Sequence, residues 1–256
     1  MCARAIATIG SGPIAKLLDL SLPALNHYGD VHGYEVVVGD GESYGRPPAW
    51  AKVPLLQRLL ATYDTVLWID ADAIIMDSTV DVASAVPGAA FQALAGPCAG
   101  NPPYINTGVW LLRAGDRASQ FLDAVWAATE FIDHAWWENA AVIDLLGFEL
   151  QSVHGPVRES QWMSDTQFLP EEWNMLVYAY GLRRCRIRHY ASTPLPKRER
   201  WLRADAARIA AARANWAPFP AARYAGLATS RWCDRHVPRS PHELREKLVR
   251  RFRRTS

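Results

Sequence analysis

The chain has 256 residues, half of them hydrophobic, so it can bury a sizeable core and fits one α/β domain, alone or with an appendage. This composition excludes a disordered or fibrous protein. The formal net charge of +2 is too small to indicate a nucleic-acid partner, although arginines crowd the C-terminal end.

The opening of the chain has the pattern of a β-α-β unit. The sequence predicts a strand at Ala5–Ile9, a turn at Gly10–Pro13, and a helix at Ile14–Tyr28 with apolar residues at helical spacing. A second strand follows at Tyr34–Val38. The apolar stretch at the start is too short for a signal peptide or a membrane-spanning helix.

The same alternation continues after a loop rich in glycine and proline. A helix is predicted at Ala51–Tyr63 and a strand at Thr65–Ile69. That strand is apolar throughout, as strands are when a parallel sheet buries both of their faces. Alternating strands and helices predict an α/β sheet of the nucleotide-binding type.

The second half of the chain is less regular. It contains a predicted strand at Val109–Leu112 and predicted helices at Ala118–Phe131 and Glu138–Leu146. Later, the composition changes to alanine, arginine and tryptophan in helical patterns. We therefore divide the chain into a main domain, residues 1–194, and a helical, basic C-terminal appendage, residues 195–256.

The chain contains four cysteines without a metal-binding spacing: Cys2, Cys98, Cys185 and Cys233. Such usage in a chain of this size favours a reducing compartment, and we expect no structural disulfide. Together with the lack of a visible targeting segment, this predicts a cytoplasmic protein.

Two acids, Asp70 and Asp72, come directly after the apolar strand and form a D-x-D sequence. Positions i and i+2 of a strand project from the same side, so both carboxylates can face one cation. Ligand sites of such sheets lie beyond the carboxyl ends of the strands. The pair therefore predicts a metal site, with a solvated turn after the strand as the alternative.

Several motifs resemble those of one family, the retaining glycosyltransferases that include yeast-type α-galactosyl and mannosyltransferases and plant xyloglucan xylosyltransferases, known as glycosyltransferase family thirty-four. The resemblance covers roughly residues 5–192 and keeps the order of the motifs. In chain order the motifs are His32-Gly33-Tyr34-Glu35, Trp50-Ala51-Lys52-Val53-Pro54, Trp68-Ile69-Asp70-Ala71-Asp72-Ala73, Asn106-Thr107-Gly108-Val109 and His189-Tyr190.

The resemblance implies a GT-A catalytic domain that transfers a hexose or pentose from a nucleotide diphosphate sugar, with UDP or GDP as the nucleotide and with retention of configuration. It implies that Asp70 and Asp72 hold a divalent ion together with His189. Two carboxylates and one imidazole, with phosphate oxygens and water completing the shell, suit Mn²⁺ better than Zn²⁺, and Mg²⁺ is the alternative ion. Taken alone, His189 would more simply be a core or surface histidine.

The resemblance also implies contacts with the donor. A turn at Gly10 and Ser11, after the first strand, would place backbone N–H groups near the nucleotide, although an ordinary turn has the same sequence. Lys52 could reach phosphate oxygens or carry a solvent-exposed charge at its helix start. Asn106 suits sugar hydroxyls, and Thr107-Gly108 would let the chain approach the donor closely, unless the segment is an ordinary strand edge.

Glu138 and Asn139 stand where the family has a shorter acid and a longer amide. As the candidate catalytic pair, Glu138 would stabilise a cation-like sugar and Asn139 would hold a hydroxyl. Two alternatives stay open: the alignment is shifted by one residue, or Glu138 is an acid at a helix start.

The acceptor side is less defined by the sequence. We expect a carbohydrate or glycolipid hydroxyl as acceptor. Indoles at Trp136, Trp137 or Trp162 would suit the faces of sugar rings if they are exposed, and the alternative is that they are core residues, as we expect for most tryptophans of the chain. The basic run 197–200 is a candidate contact for the diphosphate or a solvated linker. The apolar positions of residues 244–252, flanked by arginines, predict contact with the inner face of an anionic membrane or else a solvated tail.

Two other function classes fit part of the pattern. An apolar strand followed by D-x-D also occurs in haloacid-dehalogenase phosphatases, where Asp70 would be the nucleophile and Asp72 the acid/base. A non-catalytic nucleotide-sugar-binding module would keep the fold and lose turnover, and the altered Glu138-Asn139 pair is compatible with it.

Overall fold

A computed structural model describes residues 3–42, 44–96, 105–150, 156–182 and 184–214. Three of the cysteines, Cys2, Cys98 and Cys233, and the basic positions 244–254 lie outside these residues. Cys185 is a buried thiol, and burial raises its pKa to about 11. Within the described residues, no helix is both long enough and apolar enough for a transmembrane span.

The elements follow the predicted order, and additional short strands appear in the irregular part of the chain. In chain order they are β1 (Arg4–Thr8), α1 (Ala15–His32), β2 (Glu35–Val38), α2 (Lys52–Leu60), β3 (Thr65–Ile69), β4 (Ala73–Ile75), β5 (Gln92–Ala95), β6 (Asn106–Arg113), α3 (Asp116–Ala127), α4 (Trp137–Leu145), β7 (Thr166–Leu169), β8 (Met175–Leu176), α5 (Val177–Tyr180), β9 (Ile187–His189) and α6 (Leu195–Ala214).

The main sheet is mixed, and its strand order is β2-β1-β3-β6-β5-β7. Strand β1 pairs in parallel with β2 and β3, but β6 runs antiparallel to both β3 and β5. The expectation of a parallel sheet around Thr65–Ile69 is therefore correct on one side only. Because β6 is reversed, its first residues lie at the same edge as the last residues of β1 and β3.

Both faces of this sheet are covered, as the apolar sequence of β3 predicts. Alternate residues of a strand point to opposite faces, and Leu67 packs towards α1 whereas Trp68 packs towards α2 and α3. All five residues of β3 are buried. Fully burying each such large apolar side chain contributes about 1.5–3 kcal/mol to folding, so the strand is anchored firmly where it ends at the acids.

The motif at residues 32–34 lies at the opposite edge of the sheet from those acids. Gly33 ends α1 in a left-handed conformation with φ of 72°, which glycine adopts without a steric penalty. The Tyr34 hydroxyl donates to Asp81 at 2.8 Å, and Arg4 at the start of β1 pairs with the same carboxylate at 2.5 Å. The motif thus fastens the end of α1 and takes no part in the candidate site.

Helix α6 packs onto the main core. Its buried Leu202 and Ile209 join the cluster that covers the α1 face of the sheet. Asp205 forms a buried ion pair with Arg188 of β9 at 2.5 Å and also accepts a hydrogen bond from the Tyr190 hydroxyl. The first part of the predicted appendage is therefore in direct contact with the strand that carries His189, while the division at residue 194 stays a prediction.

The substitution Asp205→Ala tests this ion pair. It removes the carboxylate from Arg188, which is 1% exposed, so we expect a loss of about 3–5 kcal/mol in the free energy of unfolding. Urea denaturation followed by circular dichroism measures the change. The control, Glu199→Ala, breaks an exposed pair with Arg203 on the same helix and should cost only about 0.3–0.5 kcal/mol. Equal losses in the free energy of unfolding for the two variants would contradict a stabilising role of the Asp205–Arg188 ion pair.

Candidate metal and donor site

The candidate site lies where β3 ends, where β6 begins and where β4 pairs with β9. The Asp70 amide donates to the carbonyl of Gly108 at 2.8 Å, which joins the end of β3 to the start of β6. The Tyr190 amide donates to the Asp72 carbonyl at 3.0 Å, and Ala73 stands opposite His189 in the β4–β9 ladder. Backbone pairing alone therefore brings the D-x-D acids beside His189, 117 residues after Asp72 in the sequence.

Asp70, Asp72 and His189 each offer one ligand atom, and these atoms lie within 4.8 Å of one another. The Nε2 atom of His189 is 3.2 Å from Asp72 Oδ1 and 3.6 Å from Asp70 Oδ2. His189 and Asp72 are buried, whereas the side chain of Asp70 is 29% exposed. The cluster is thus open to solvent on the Asp70 side.

A relay of amides orients the His189 ring. The Asn174 side-chain N–H donates to Asn106 Oδ1 at 2.8 Å, and this oxygen also accepts from the Gly108 amide at 2.9 Å. Asn174 therefore presents its carbonyl oxygen to His189 Nδ1, 2.9 Å away, and Nδ1 must donate. The lone pair of neutral His189 is then on Nε2 and faces two carboxylates, so a proton or a metal ion has to lie between them.

Each carboxylate is anchored through its other oxygen. Asp70 Oδ1 accepts from the Trp68 indole N–H at 2.6 Å and lies 3.2 Å from Lys52 Nζ. Asp72 Oδ2 pairs with Arg198 of α6 at 2.8 Å. Partners outside the cluster hold the ligand atoms in place, which is the arrangement typical of metal sites in proteins.

The charges around Asp72 favour its ionised form. Burial raises the pKa of Asp72, but His189 and Arg198 outweigh burial and hold the pKa at about 2. These neighbours favour the carboxylate form of Asp72, and a carboxylate is the form that binds a cation.

Lys52 is buried and lies between two acids. Its Nζ atom is 2.7 Å from Glu138 Oε1 and 3.2 Å from the Thr107 hydroxyl, in addition to Asp70. Burial lowers the pKa of Lys52, but Asp70 and Glu138 outweigh burial and raise the pKa above its ordinary value. The predicted phosphate-binding lysine is thus a charged group that compensates two carboxylates inside the protein, and the alternative of a solvent-exposed charge is wrong.

Glu138 is buried in the first turn of α4. Its Oε1 atom binds Lys52 and accepts from the Thr107 hydroxyl at 3.2 Å, while Oε2 has no hydrogen-bond partner within the described structure. Burial raises the pKa of Glu138, and the attraction of Lys52 only partly offsets this. One ammonium group serves two carboxylates, so this part of the site carries excess negative charge.

Asn139 holds the start of β6 rather than facing the cluster. Its Oδ1 atom accepts from the Thr107 amide at 2.9 Å, and its side-chain N–H donates to the Ile105 carbonyl at 3.1 Å. Both ends of the amide are therefore engaged with backbone. The predicted contact between Asn139 and a sugar hydroxyl would need one of these bonds to open or to be shared.

Gly108 allows the closest approach in the site. A Cβ atom at this position would lie 2.1 Å from His189 Cε1, which is far inside van der Waals contact. The glycine thus makes room for the imidazole, whereas the resemblance assigned it to close approach of the donor. No described contact tests the second role.

The turn at Gly10 and Ser11 follows β1 at the same edge of the sheet. A Cβ at Gly10 would lie 2.8 Å from the Cβ of Leu18, so glycine is needed for α1 to pack over the turn. The Ser11 hydroxyl does not cap the helix that follows. The turn therefore lies where the sequence placed it, and its contact with a donor stays a prediction.

Sequence reasoning missed Asn174 and Trp68 as groups that hold the ligands. Asn174 comes 15 residues before His189, in the part of the chain that has no regular pattern, so nothing in its surroundings marked it. Trp68 carried a weak signal because it lies two residues before Asp70 on an alternating strand and therefore projects from the same side.

The substitution Gly108→Ala tests the fit of His189. The added methyl group would displace the imidazole, so we expect Mn²⁺ affinity to fall by about 10–100-fold, as it does when a ligand loses its orientation. Calorimetric titration with MnCl₂ measures the affinity. Gly88→Ala is the matched control because a Cβ there meets no atom within 4 Å. Unchanged Mn²⁺ affinity in Gly108→Ala would show that His189 is not a ligand.

The substitution Asn174→Ala tests the amide relay. Without the Asn174 carbonyl, His189 Nδ1 has no described acceptor and the ring can turn or take the other tautomer. We expect Mn²⁺ affinity to fall by about tenfold or more. In the wild-type protein, the Nδ1 proton should give a downfield, slowly exchanging NMR signal that disappears in Asn174→Ala. Persistence of that signal would contradict the assigned relay.

Comparison with known sequences gives one family. Residues 13–87 match the galactosyl transferase GMA12/MNN10 family. The matched residues include Lys52, Asp70 and Asp72, whereas the motifs at 106–109 and 189–190 lie outside them. No curated protein has significant sequence similarity to the chain.

Comparison with solved structures gives glycosyltransferases. One is involved in glycosylation of the major capsid of PBCV-1; it is 14% identical, with a TM-score of 0.61 over 78% of this chain and 98% of that one. Another is apo GlyE of Streptococcus pneumoniae TIGR4, 13% identical with a TM-score of 0.55 over 84% and 63%. The bifunctional glycosyltransferase WbbM is 11% identical, with a TM-score of 0.52 over 80% and 50%.

At these identities the solved structures show the fold alone, and the chain spans less than two thirds of GlyE. The fold and the family match together support a glycosyltransferase that transfers from a sugar donor. The described chain thus has the GT-A glycosyltransferase fold, and its residues 13–87 match the galactosyl transferase GMA12/MNN10 family, which confirms the resemblance for the three motifs within those residues.

Proposed function

We propose that the protein is a metal-dependent retaining glycosyltransferase. It moves a hexose or pentose from a UDP or GDP sugar to a hydroxyl of a carbohydrate or glycolipid. The observation that carries the proposal is the cluster of Asp70, Asp72 and His189, in which outside partners anchor each ligand group and leave one atom of each facing the others.

The donor atoms of the cluster fit a divalent ion that prefers oxygen. Two carboxylate oxygens and one imidazole nitrogen suit Mn²⁺, and Mg²⁺ next, with phosphate oxygens and water left to complete the shell. The exposed side of Asp70 is where these further ligands would enter. The chemistry such an ion supplies is to offset negative charge on a departing nucleoside diphosphate.

Charge balance supports a diphosphate as the ligand. Three carboxylates, of Asp70, Asp72 and Glu138, face two cationic side chains, Lys52 and Arg198, which leaves one net negative charge when His189 is neutral. A divalent ion would turn this into one net positive charge. The loaded site would then attract a nucleotide diphosphate and repel other cations.

The remaining donor contacts are proposed from position. Gly10 and Ser11 lie at the edge of the sheet where β1 ends, and their turn precedes α1, so backbone N–H groups and the helix N-terminus are available to the nucleotide. Asn106, Thr107 and Gly108 lie beside the cluster at the start of β6. Arg198 pairs with Asp72 at 2.8 Å, so we propose it as a further contact for the diphosphate.

Glu138 and Asn139 remain the proposed catalytic pair, but Glu138 has an electrostatic role and is not a nucleophile. Glu138 supplies negative charge behind the donor sugar, where positive charge develops during transfer. Its Oε1 atom is bound to Lys52 and Thr107, and its Oε2 atom is buried within the described structure, so neither oxygen is placed to form a covalent sugar intermediate. This favours front-face attack with retention, in which the leaving phosphate accepts the proton of the acceptor hydroxyl.

We also propose where in the cell the protein works. The sequence favours the cytoplasm, with the basic positions beyond the described residues at the inner face of a membrane that carries a glycolipid acceptor. Among the alternatives, the glycosyltransferase fold favours the transferase over a haloacid-dehalogenase-type phosphatase. A non-catalytic nucleotide-sugar-binding module would differ from the proposal only in turnover.

The deciding experiment is calorimetric titration of UDP and of GDP into the protein with Mn²⁺ and again with EDTA. We expect one nucleotide to bind, and only with Mn²⁺. In the Asp70→Asn/Asp72→Asn variant its affinity should fall by more than roughly 10–100-fold, which is the loss typical when a group that only supports a ligand is removed, because here two ligands lose their charge. The control Asp30→Asn/Asp133→Asn makes the same change of charge at exposed sites.

The outcomes separate the three classes. Absence of nucleotide binding under every condition, or equal binding in EDTA, would contradict the transferase. Metal-dependent binding without hydrolysis or transfer from any UDP or GDP sugar would identify a binding module. Release of phosphate from phosphomonoesters that depends on Asp70, without nucleotide binding, would identify the phosphatase.

A further inference from the structure

Trp137, the first residue of α4, combines two unusual features. Its side chain is among the few large hydrophobic groups that are exposed, at 42%, and its backbone has φ of 48°. A left-handed backbone is unfavourable for a bulky residue, and such residues persist where the surroundings hold them and cluster at functional sites. Its indole has no contact with another aromatic ring within the described residues, and 42% of the residue is exposed.

The backbone of Trp137 is held firmly in place. Its amide donates to the His134 carbonyl at 2.9 Å, and the Asn139 amide donates to the Trp136 carbonyl at 3.0 Å. The side chain of the next residue, Glu138, is fixed in the interior by Lys52 at 2.7 Å. The left-handed conformation therefore occurs where the chain turns Glu138 into the site, and Trp137 is the neighbour left at the surface.

The position connects this indole to the candidate site. Glu138 binds Lys52, and Lys52 is 3.2 Å from Asp70. Trp137 therefore directly precedes a residue that is linked through Lys52 to the candidate metal-binding cluster. The groups around the cluster are charged or amide groups that suit a metal ion and a diphosphate. A neutral sugar has neither charge nor phosphate, and it binds instead through the apolar C–H face of its ring against an aromatic surface.

We propose that Trp137 is the platform on which the ring of a neutral acceptor sugar stacks, and that it determines acceptor specificity. The inference rests on the proposed function, since an acceptor is needed only by a transferase. Tyr44 offers the necessary contrast: it is also exposed, at 52%, and left-handed, but its ring packs edge-on against Trp126 and its hydroxyl accepts from Arg58. Of these two residues, only Tyr44 has its ring packed against another described aromatic ring.

The test uses four disaccharides as probes: lactose, cellobiose, maltose and α-1,2-mannobiose. Binding to the full-length protein is measured by saturation-transfer NMR with Mg²⁺ and the nucleotide present. We expect at least one probe to bind, its affinity to fall by about tenfold in Trp137→Ala, and to stay within about threefold in Trp137→Phe, which keeps an aromatic face. Tyr44→Ala should bind the probe as the wild type does.

Nucleotide titration with Mn²⁺ on the same variants shows whether the effect is confined to the sugar. Nucleotide affinity should be unchanged in Trp137→Ala. Three results would overturn the proposal: equal probe binding by Trp137→Ala and wild type, no binding of any probe by wild type, or a parallel loss of nucleotide and probe affinity in Trp137→Ala. Failure of the proposed function is a separate result, because it is read from nucleotide binding by the wild-type protein.

Discussion

The negative charge at the end of β3 is the constraint on which the surrounding structure depends. Asp70, Asp72 and the neighbouring Glu138 bring carboxylates together in a partly buried place, where unpaired charge is costly. The chain compensates them from separate elements: Lys52 from α2 and Arg198 from α6. The outer oxygens of Asp70 and Asp72 are thereby satisfied, and their inner oxygens face His189, whereas Glu138 Oε2 has no partner within the described structure.

A second feature of the site is that several polar side chains support other groups. Asn106, Asn174 and Asn139 were candidates for sugar contacts or carried no signal, yet all three hold other groups in place. Asn106 and Asn174 pass an unbroken series of hydrogen bonds from the Gly108 amide to the His189 ring, and Asn139 fixes the start of β6. Such supporting bonds determine geometry at a metal site as much as the ligands do.

Helix α6 is bound to the site by charge as well as by packing. Arg198 in its first turn reaches Asp72, and Asp205 further along binds Arg188, the residue before His189. Two of the three candidate ligands are therefore linked to a helix that the sequence presents as the start of an appendage. Movement of α6 would disturb Asp72 and β9 together, so this helix has a direct physical connection to the candidate site.

The sequence by itself determined the β-α-β opening, the strand that ends at Asp70 and the presence of a D-x-D pair, because these depend on local periodicity and on residues close together in the chain. The family motifs added His189 and the GT-A fold. Tertiary structure alone decided that β6 runs antiparallel, that Lys52 is buried between two acids, and that Asn174 orients His189. Those features depend on contacts between residues 15 to 86 positions apart, and no local pattern encodes which distant partner a buried charge or a ring nitrogen will meet.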